Sequence, residues 1–167
     1  IRAIVNMQYY TYYQTPDPFD DLIMESDGQY LTALSFTSDQ ALENQTNEDL
    51  EVFQKTRKWL DAYFNHHIET AYPPIKQEHA TAFQKEVYEI LKSIPYGKTV
   101  TYKDIARKIA SQRGIASMSA QAVGQAVGSN RIAIIIGCHR VIGTNGKLTG
   151  YRGGLKNKKA LLNHEKS

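Results

Sequence analysis

The chain has 167 residues, enough for one or two small domains with a real core. An apolar content of 41% argues against disorder, and a net charge of +3 permits contact with nucleic acid without requiring it. The longest apolar run, Ile132 to Ile136, is far too short to span a bilayer, and no basic stretch with an apolar core marks a secretory leader, so a cytoplasmic location is expected.

Met7 could be the native start, with Ile1 to Asn6 an added or extended segment. Gln8 to Thr15, rich in Tyr and Thr, is expected to be a strand, broken by Pro16 and Pro18. Asp21 to Glu25 is a second strand. Asp27-Gly28 reads as a hairpin turn with both residues at positive φ, leading into a third strand over Gln29 to Thr37. Leu50, Phe53, Leu60 and Phe64 predict a helix over Asn47 to Phe64, capped by Thr46 or Asn47, with Trp59 in core or interdomain packing. Pro73-Pro74 marks a boundary between Ala71 and Glu78, dividing the chain into 1–75 and 76–167.

Thr81-x-x-Gln84 is a capping box for a helix carrying Phe83, Val87, Ile90, Leu91 and Ile94, stopped at Pro95-Tyr96-Gly97. Thr101-x-x-Asp104 caps a second helix with Ile105 and Ile109 inward. Ser119 caps a third over Ala120 to Val127. The last two form a helix-turn-helix candidate. The small residues Ala120, Ala122, Gly124 and Ala126 suit either tight packing or close approach to nucleic acid. Asn145-Gly146 predicts a hairpin over Val141 to Thr149, a wing. Leu155 to Asn163 is expected to be helical, with Leu155, Leu161 and Leu162 toward the core, Lys156, Lys158 and Lys159 on a solvated face, and Glu165 just beyond.

Cys138 is the only cysteine, which excludes an internal disulfide and a cysteine-based zinc site. His66, His67, His79, His139 and His164 show no HExxH spacing, so no metal is expected. A cysteine ending an apolar run is ordinarily a buried small hydrophobe. The neighbouring His139 could lower its pKa or take its proton. A cysteine hydrolase, using one of the distant histidines, has no further motif in its favour.

The string Gly137-Cys138-His139-Arg140-Val141-Ile142-Gly143, with Asn130 eight residues before the cysteine, resembles the active-site motif of the O6-alkylguanine-DNA alkyltransferases. Ile94 to Tyr102, Ala122-Val123-Gly124, Leu148 to Tyr151, Gly153-Gly154-Leu155 and His164-Glu165 agree with that family in order and spacing. The resemblance is strong over Thr81 to Glu165 and looser over Met7 to Phe64. It implies an α/β (α+β) fold: a ribonuclease-H-like small antiparallel sheet with a helix, followed by a winged-helix-like helix-turn-helix domain.

The same resemblance implies a single-turnover DNA-repair enzyme that needs no cofactor. Cys138 would accept the alkyl group irreversibly from O6-alkylguanine, with O4-alkylthymine as a further substrate by resemblance alone. His139 would take the thiol proton through water, and Glu165 would orient the imidazole. Asn130 would brace the active-site loop, and Tyr102 would donate a hydrogen bond to guanine N3. The carbonyls of Cys138 and Val141 would accept from the guanine amino group. The Arg152 N–H would face O6, and Tyr151 would wall the pocket. Double-stranded DNA would be bound by a monomer through its minor groove, about 6 Å wide, with the base flipped out. Ala120, Gln121, Ala122 and Gly124 would enter that groove, and Thr144, Asn145 and Gly146 would meet phosphate. No membrane partner is implied.

The chain departs from the family pattern at three residues and in the loop Ser111 to Met118, which is longer than in some relatives. Gly137 stands where Pro is usual, Gln121 where an arginine fills the gap left by the flipped base, and Arg152 where a smaller residue is common. Gly137 is expected to loosen its loop. Gln121 bears on DNA affinity more than on chemistry. A non-catalytic protein that flags alkylated DNA is the alternative reading, and a transcription regulator sensing alkylation at Cys138 is a further one.

Overall fold

Alternating burial in the first half of the chain produces the expected meander in the computed structural model, which describes residues 8–37, 50–68 and 71–167. Strands β1 (Tyr9–Tyr13), β2 (Asp21–Ser26) and β3 (Leu31–Thr37) form an antiparallel sheet in the order β1-β2-β3. Leu22 and Met24 on β2 point inward, as does Leu34 on β3. The turn after β2 differs from the expected pair of positive φ values. Only Gly28 lies there, at +108°. Asp27 instead accepts at Oδ1 from the N–H groups of Gln29 and Tyr30, at 3.0 and 2.9 Å, which delays β3 to Leu31.

Helix α1 spans Glu51–Phe64 with Leu50 at its N-cap and no side-chain cap, so it starts later than the expected Asn47. Thr46 and Asn47 themselves lie outside the described residues. Its buried face is Val52, Phe53, Thr56, Trp59, Leu60 and Tyr63, which lies against β2 and β3 and makes Trp59 part of the core. Arg57 donates to Thr11 Oγ1 and to the Tyr12 carbonyl, and Tyr13 donates to Asp61, tying the helix to β1. The Pro-rich stretch also bonds to the sheet. Leu31 N–H donates to the Pro74 carbonyl at 2.7 Å, and Lys76 N–H to the Leu31 carbonyl at 3.0 Å.

The chain divides into two compact units, Ile1–Glu78 and His79–Ser167. In the second, α2 (Ala82–Ser93) and α3 (Tyr102–Arg113) each open on a complete capping box, Thr81 with Gln84 and Thr101 with Asp104. Gly114, at φ +65°, ends α3. Helix α4 (Ala120–Gly128) is capped by Ser119 and packs on both α2 and α3 through Val123, Ala126 and Val127. Ala126 therefore faces the core and is not part of the smooth outer surface.

The wing departs from expectation. Short strand β5 (Val141–Ile142) pairs in parallel with β4 (Val100–Thr101), and no antiparallel ladder runs back from Thr149 among the described residues. Thr144–Gly146 forms a 3-10 turn with Asn145 at φ 65° and Gly146 at 75°, closed by Gly143 N–H on the Lys147 carbonyl. The Asn-Gly signal gave the turn conformation without the strands. Helix α5 runs Leu155–Lys166, so Glu165 sits in its last turn and not beyond it. Leu161 carries its core contact while Leu155 is half exposed. Among the described residues no helix is long and apolar enough to cross a membrane.

Candidate active site

The segment between α4 and Cys138 is built from two tight turns. Ile135 N–H donates to the Ala133 carbonyl at 2.7 Å, closing a γ-turn on Ile134. That forces Ile134 to φ 66°, a conformation a β-branched residue rarely adopts. Cys138 N–H closes a second on the Ile136 carbonyl, also at 2.7 Å. Burial of Ile132, Ile134, Ile135 and Ile136 holds the strain in place.

Asn130 binds this segment together. Its Oδ1 accepts from Ile132 N–H at 3.1 Å, and Nδ2 faces the carbonyls of Ile132 and Ile136 and the Cys138 sulfur, at 3.0, 3.4 and 3.3 Å. Cys138 is buried and free. Burial pushes its thiol pKa up, and Asn130, Lys158 and Tyr151 pull it back in part. The Tyr151 hydroxyl is buried beside the sulfur without a hydrogen bond of good geometry, and its pKa is raised well above the ordinary tyrosine value by burial and by Cys138.

His139 follows Cys138 in a short 3-10 helix (Cys138–Arg140) that turns its ring toward α5. Its Nε2 donates to Glu165 Oε2 at 2.6 Å, and its Nδ1 is buried without a partner. Arg140 holds the same carboxylate with Nε on Oε1 at 2.9 Å and Nη2 on Oε2 at 3.0 Å, and its Nη1 donates to the Ile94 carbonyl. Gly97 N–H donates to Oε1 at 3.0 Å. A Cβ at Gly97, which lies at φ +80°, would come within 3.3 Å of the Glu165 carbonyl. Burial alone would raise Glu165, but the hydrogen bonds and charges of His139 and Arg140 outweigh it and hold the carboxyl well below the usual range. Burial, joined by the charges of Arg140 and Lys158, lowers His139 against the raising effect of Glu165. The pair is thus a carboxylate and a neutral imidazole.

Both shifts link to stability in one direction. The folded state binds fewer protons than the unfolded one once pH falls below 6.5 for His139 and below 4.5 for Glu165. Stability is expected to be full above pH 6.5, to decline below it, and to fall more steeply below 4.5. Thermal melts across this range check it, and Glu165→Gln should flatten the lower limb.

Arg140 was not singled out from the sequence, nor was Lys158, which is wholly buried rather than on a solvated face. Lys158 Nζ donates to the Val141 carbonyl at 2.7 Å. Tyr102, first in α3, pairs its hydroxyl with Thr149 Oγ1 at 2.8 Å, and its ring lies under Gly124. Gly137, at φ −72°, is in the range proline takes, but a Cβ there would stand 3.2 Å from Arg140 Cδ and Nη1. Its absence gives the pinned guanidinium room. The structure thus gathers Cys138, His139, Glu165, Asn130, Tyr151 and Val141. Gln121 is exposed on α4, Ala120, Ala122 and Gly124 are partly covered there, Thr144 to Gly146 form an exposed turn, and Arg152 is exposed.

Two family models match the chain: the ribonuclease-like domain of 6-O-methylguanine DNA methyltransferase over residues 8–73 and its DNA binding domain over 82–167. A methylated-DNA–protein-cysteine methyltransferase of Haemophilus influenzae is 41% identical over 162 residues, covering 95% of this chain and 86% of that protein. One from Mycobacterium tuberculosis is 40% identical over 159 residues, covering 93% of each. The crystal structure of Mycobacterium tuberculosis OGT in complex with DNA superposes with a TM-score of 0.77 at 39% identity, covering 95% of this chain and 92% of that one. The chain belongs to the 6-O-methylguanine DNA methyltransferase family.

Proposed function

We propose that this chain repairs DNA by moving an alkyl group from O6 of guanine onto Cys138, once per molecule and without a cofactor. The observation that carries this is the His139 ring: Glu165 holds Nε2, and the buried Nδ1 is left with an unengaged lone pair. A neutral imidazole so oriented is a base for the neighbouring thiol. The proton passes from Sγ to Nδ1 through water. Sγ then bonds the alkyl carbon as the O6–carbon bond breaks, and the departing guanine takes a hydrogen bond at N3 from Tyr102. The stable thioether explains the single turnover. Relatives named as methyltransferases favour transfer over non-catalytic binding.

The guanine amino group would bond the carbonyls of Cys138 and Val141. Each already accepts once, from Val141 N–H and from Lys158, and each keeps a second lone pair. The Arg152 N–H would face O6, and Tyr151 would close the pocket. The reactive atom is out of reach inside a duplex, so the base is flipped out. Helix α4 would enter the minor groove through Ala120, Gln121, Ala122 and Gly124, and Thr144, Asn145 and Gly146 would meet phosphate. A monomer in the cytoplasm is the simplest working form, a reducing compartment suiting a free thiol.

Gly124 supports this use of α4. A Cβ there would make only ordinary contact, 3.7 Å, with the Tyr102 ring, so the fold does not require glycine. Gly124→Ala is expected to stabilise the protein by about 0.5–1 kcal/mol while weakening DNA binding, measured by melting and by fluorescence anisotropy on a duplex. The function itself is tested by intact mass after mixing with a duplex containing O6-methylguanine. A gain of one methyl group on the peptide carrying Cys138 is expected. An unshifted mass, or a methyl group elsewhere, overturns the proposal.

A further inference from the structure

We propose that Lys158 is the buried counter-ion of the Cys138 thiolate and, through the same ammonium, the positioning residue for the Val141 carbonyl. Its purpose rests on the alkyl-transfer reading, but its test does not.

Lys158 has no exposed surface, although it lies in a Lys-rich stretch of α5. Its Nζ donates to the Val141 carbonyl at 2.7 Å and reaches the Thr149 carbonyl at 3.4 Å. Both acceptors are neutral. A buried ammonium held only by carbonyls keeps a desolvation penalty that no carboxylate offsets. The carboxylate nearest in sequence on α5, Glu165, is engaged by His139, Arg140 and Gly97. Burial lowers the Lys158 pKa, and the one charge that raises it again is Cys138. Its acceptor, Val141, closes the short turn that begins at Cys138, so this costly cation is held on the same turn as a buried thiol, where a negative charge must appear.

The other groups facing the sulfur are Asn130, Tyr151 and Tyr88, none of them cationic. The Arg140 charge is spent on Glu165, and Lys158 also lowers His139, which helps keep that ring neutral. When the thiol proton leaves for His139, the charge on Sγ forms within the field of the buried Nζ. As the sulfur–carbon bond forms and the O6–carbon bond breaks, that charge passes to guanine. Lys158 gives up no proton in the step. Its hydrogen bond meanwhile fixes the Val141 carbonyl against which the guanine amino group would rest.

The test is the pH dependence of Cys138 carboxamidomethylation by iodoacetamide in DNA-free full-length protein, followed by intact mass. Here the thiolate attacks carbon and iodide leaves, so the rate reports thiolate alone. Lys158→Met removes charge and donor, while Lys158→Gln keeps a donor for Val141. Both are expected to move the profile to higher pH and to slow the reaction at pH 7 by about tenfold or more, one pKa unit being tenfold. A folded Lys158→Gln with the wild-type profile overturns the counter-ion role. Should neither variant fold, the Lys158 ammonium is titrated by NMR in wild-type protein before and after carboxamidomethylation. Its pKa should fall once sulfur can no longer ionise, and an unchanged value overturns the proposal.

Discussion

Glu165→Ala is expected to destabilise the protein by about 3–5 kcal/mol and to slow alkyl transfer by about 10²–10⁴-fold. The carboxylate accepts from His139, from Arg140 twice, and from Gly97. Alanine leaves a buried guanidinium without its counter-charge, which accounts for the loss of stability. It also frees the imidazole to rotate, so Nδ1 is no longer held for the thiol, which accounts for the rate. Glu165→Gln separates the two effects. It preserves volume and one acceptor oxygen, so the stability loss should shrink while transfer remains slow. Urea titration and single-turnover kinetics on an O6-methylguanine duplex read them independently. A Glu165→Ala protein that transfers at the wild-type rate would remove His139 from the mechanism.

Asn130→Ala is the second large effect. One amide serves the Ile132 N–H, the Ile132 and Ile136 carbonyls and the Cys138 sulfur. Each buried polar group left without a partner costs about 1–3 kcal/mol, so a total loss of about 2–5 kcal/mol is expected. The γ-turn at Ile134 is unfavourable alone and should relax once the amide no longer spans it. The thiol also loses a hydrogen bond that favours its ionised form, so alkylation at neutral pH should slow. Denaturation and iodoacetamide kinetics measure the two halves. A stable variant with unaltered thiol reactivity contradicts both.

The helices of the second unit were legible because their signals are local. Thr81, Thr101 and Ser119 cap where they stand, whatever surrounds them. Family resemblance named Asn130 and His139 at the motif around Cys138 and Glu165 at His164-Glu165, and in the structure Asn130 meets the Cys138 sulfur and Glu165 meets His139. The burial of Lys158 was not legible. In a Lys-Asn-Lys-Lys run every lysine looks solvated, and only the return of Val141 and Thr149 over α5 distinguishes this one. Arg140 was missed for a similar reason, since its partners Ile94 and Glu165 lie far along the chain on either side. The parallel pairing of β4 with β5 joins two-residue strands forty-one positions apart, beyond the reach of alternation or turn chemistry. Helix α1 shows the reverse: a residue without capping ability begins it, because packing of Phe53, Trp59 and Leu60 on the sheet outweighs the missing cap.

Gly97 lies in the turn Pro95–Lys98 between α2 and β4 and at first sight serves only to redirect the chain. Its N–H nevertheless donates to the carboxylate that holds His139, and a side chain there would press on the backbone of α5 at that same residue. A random-mutagenesis screen for loss of repair should therefore recover Gly97 alongside Cys138 and His139. Its variants should resemble defects in the proton acceptor more than defects in folding, although no atom of its own ever meets the substrate.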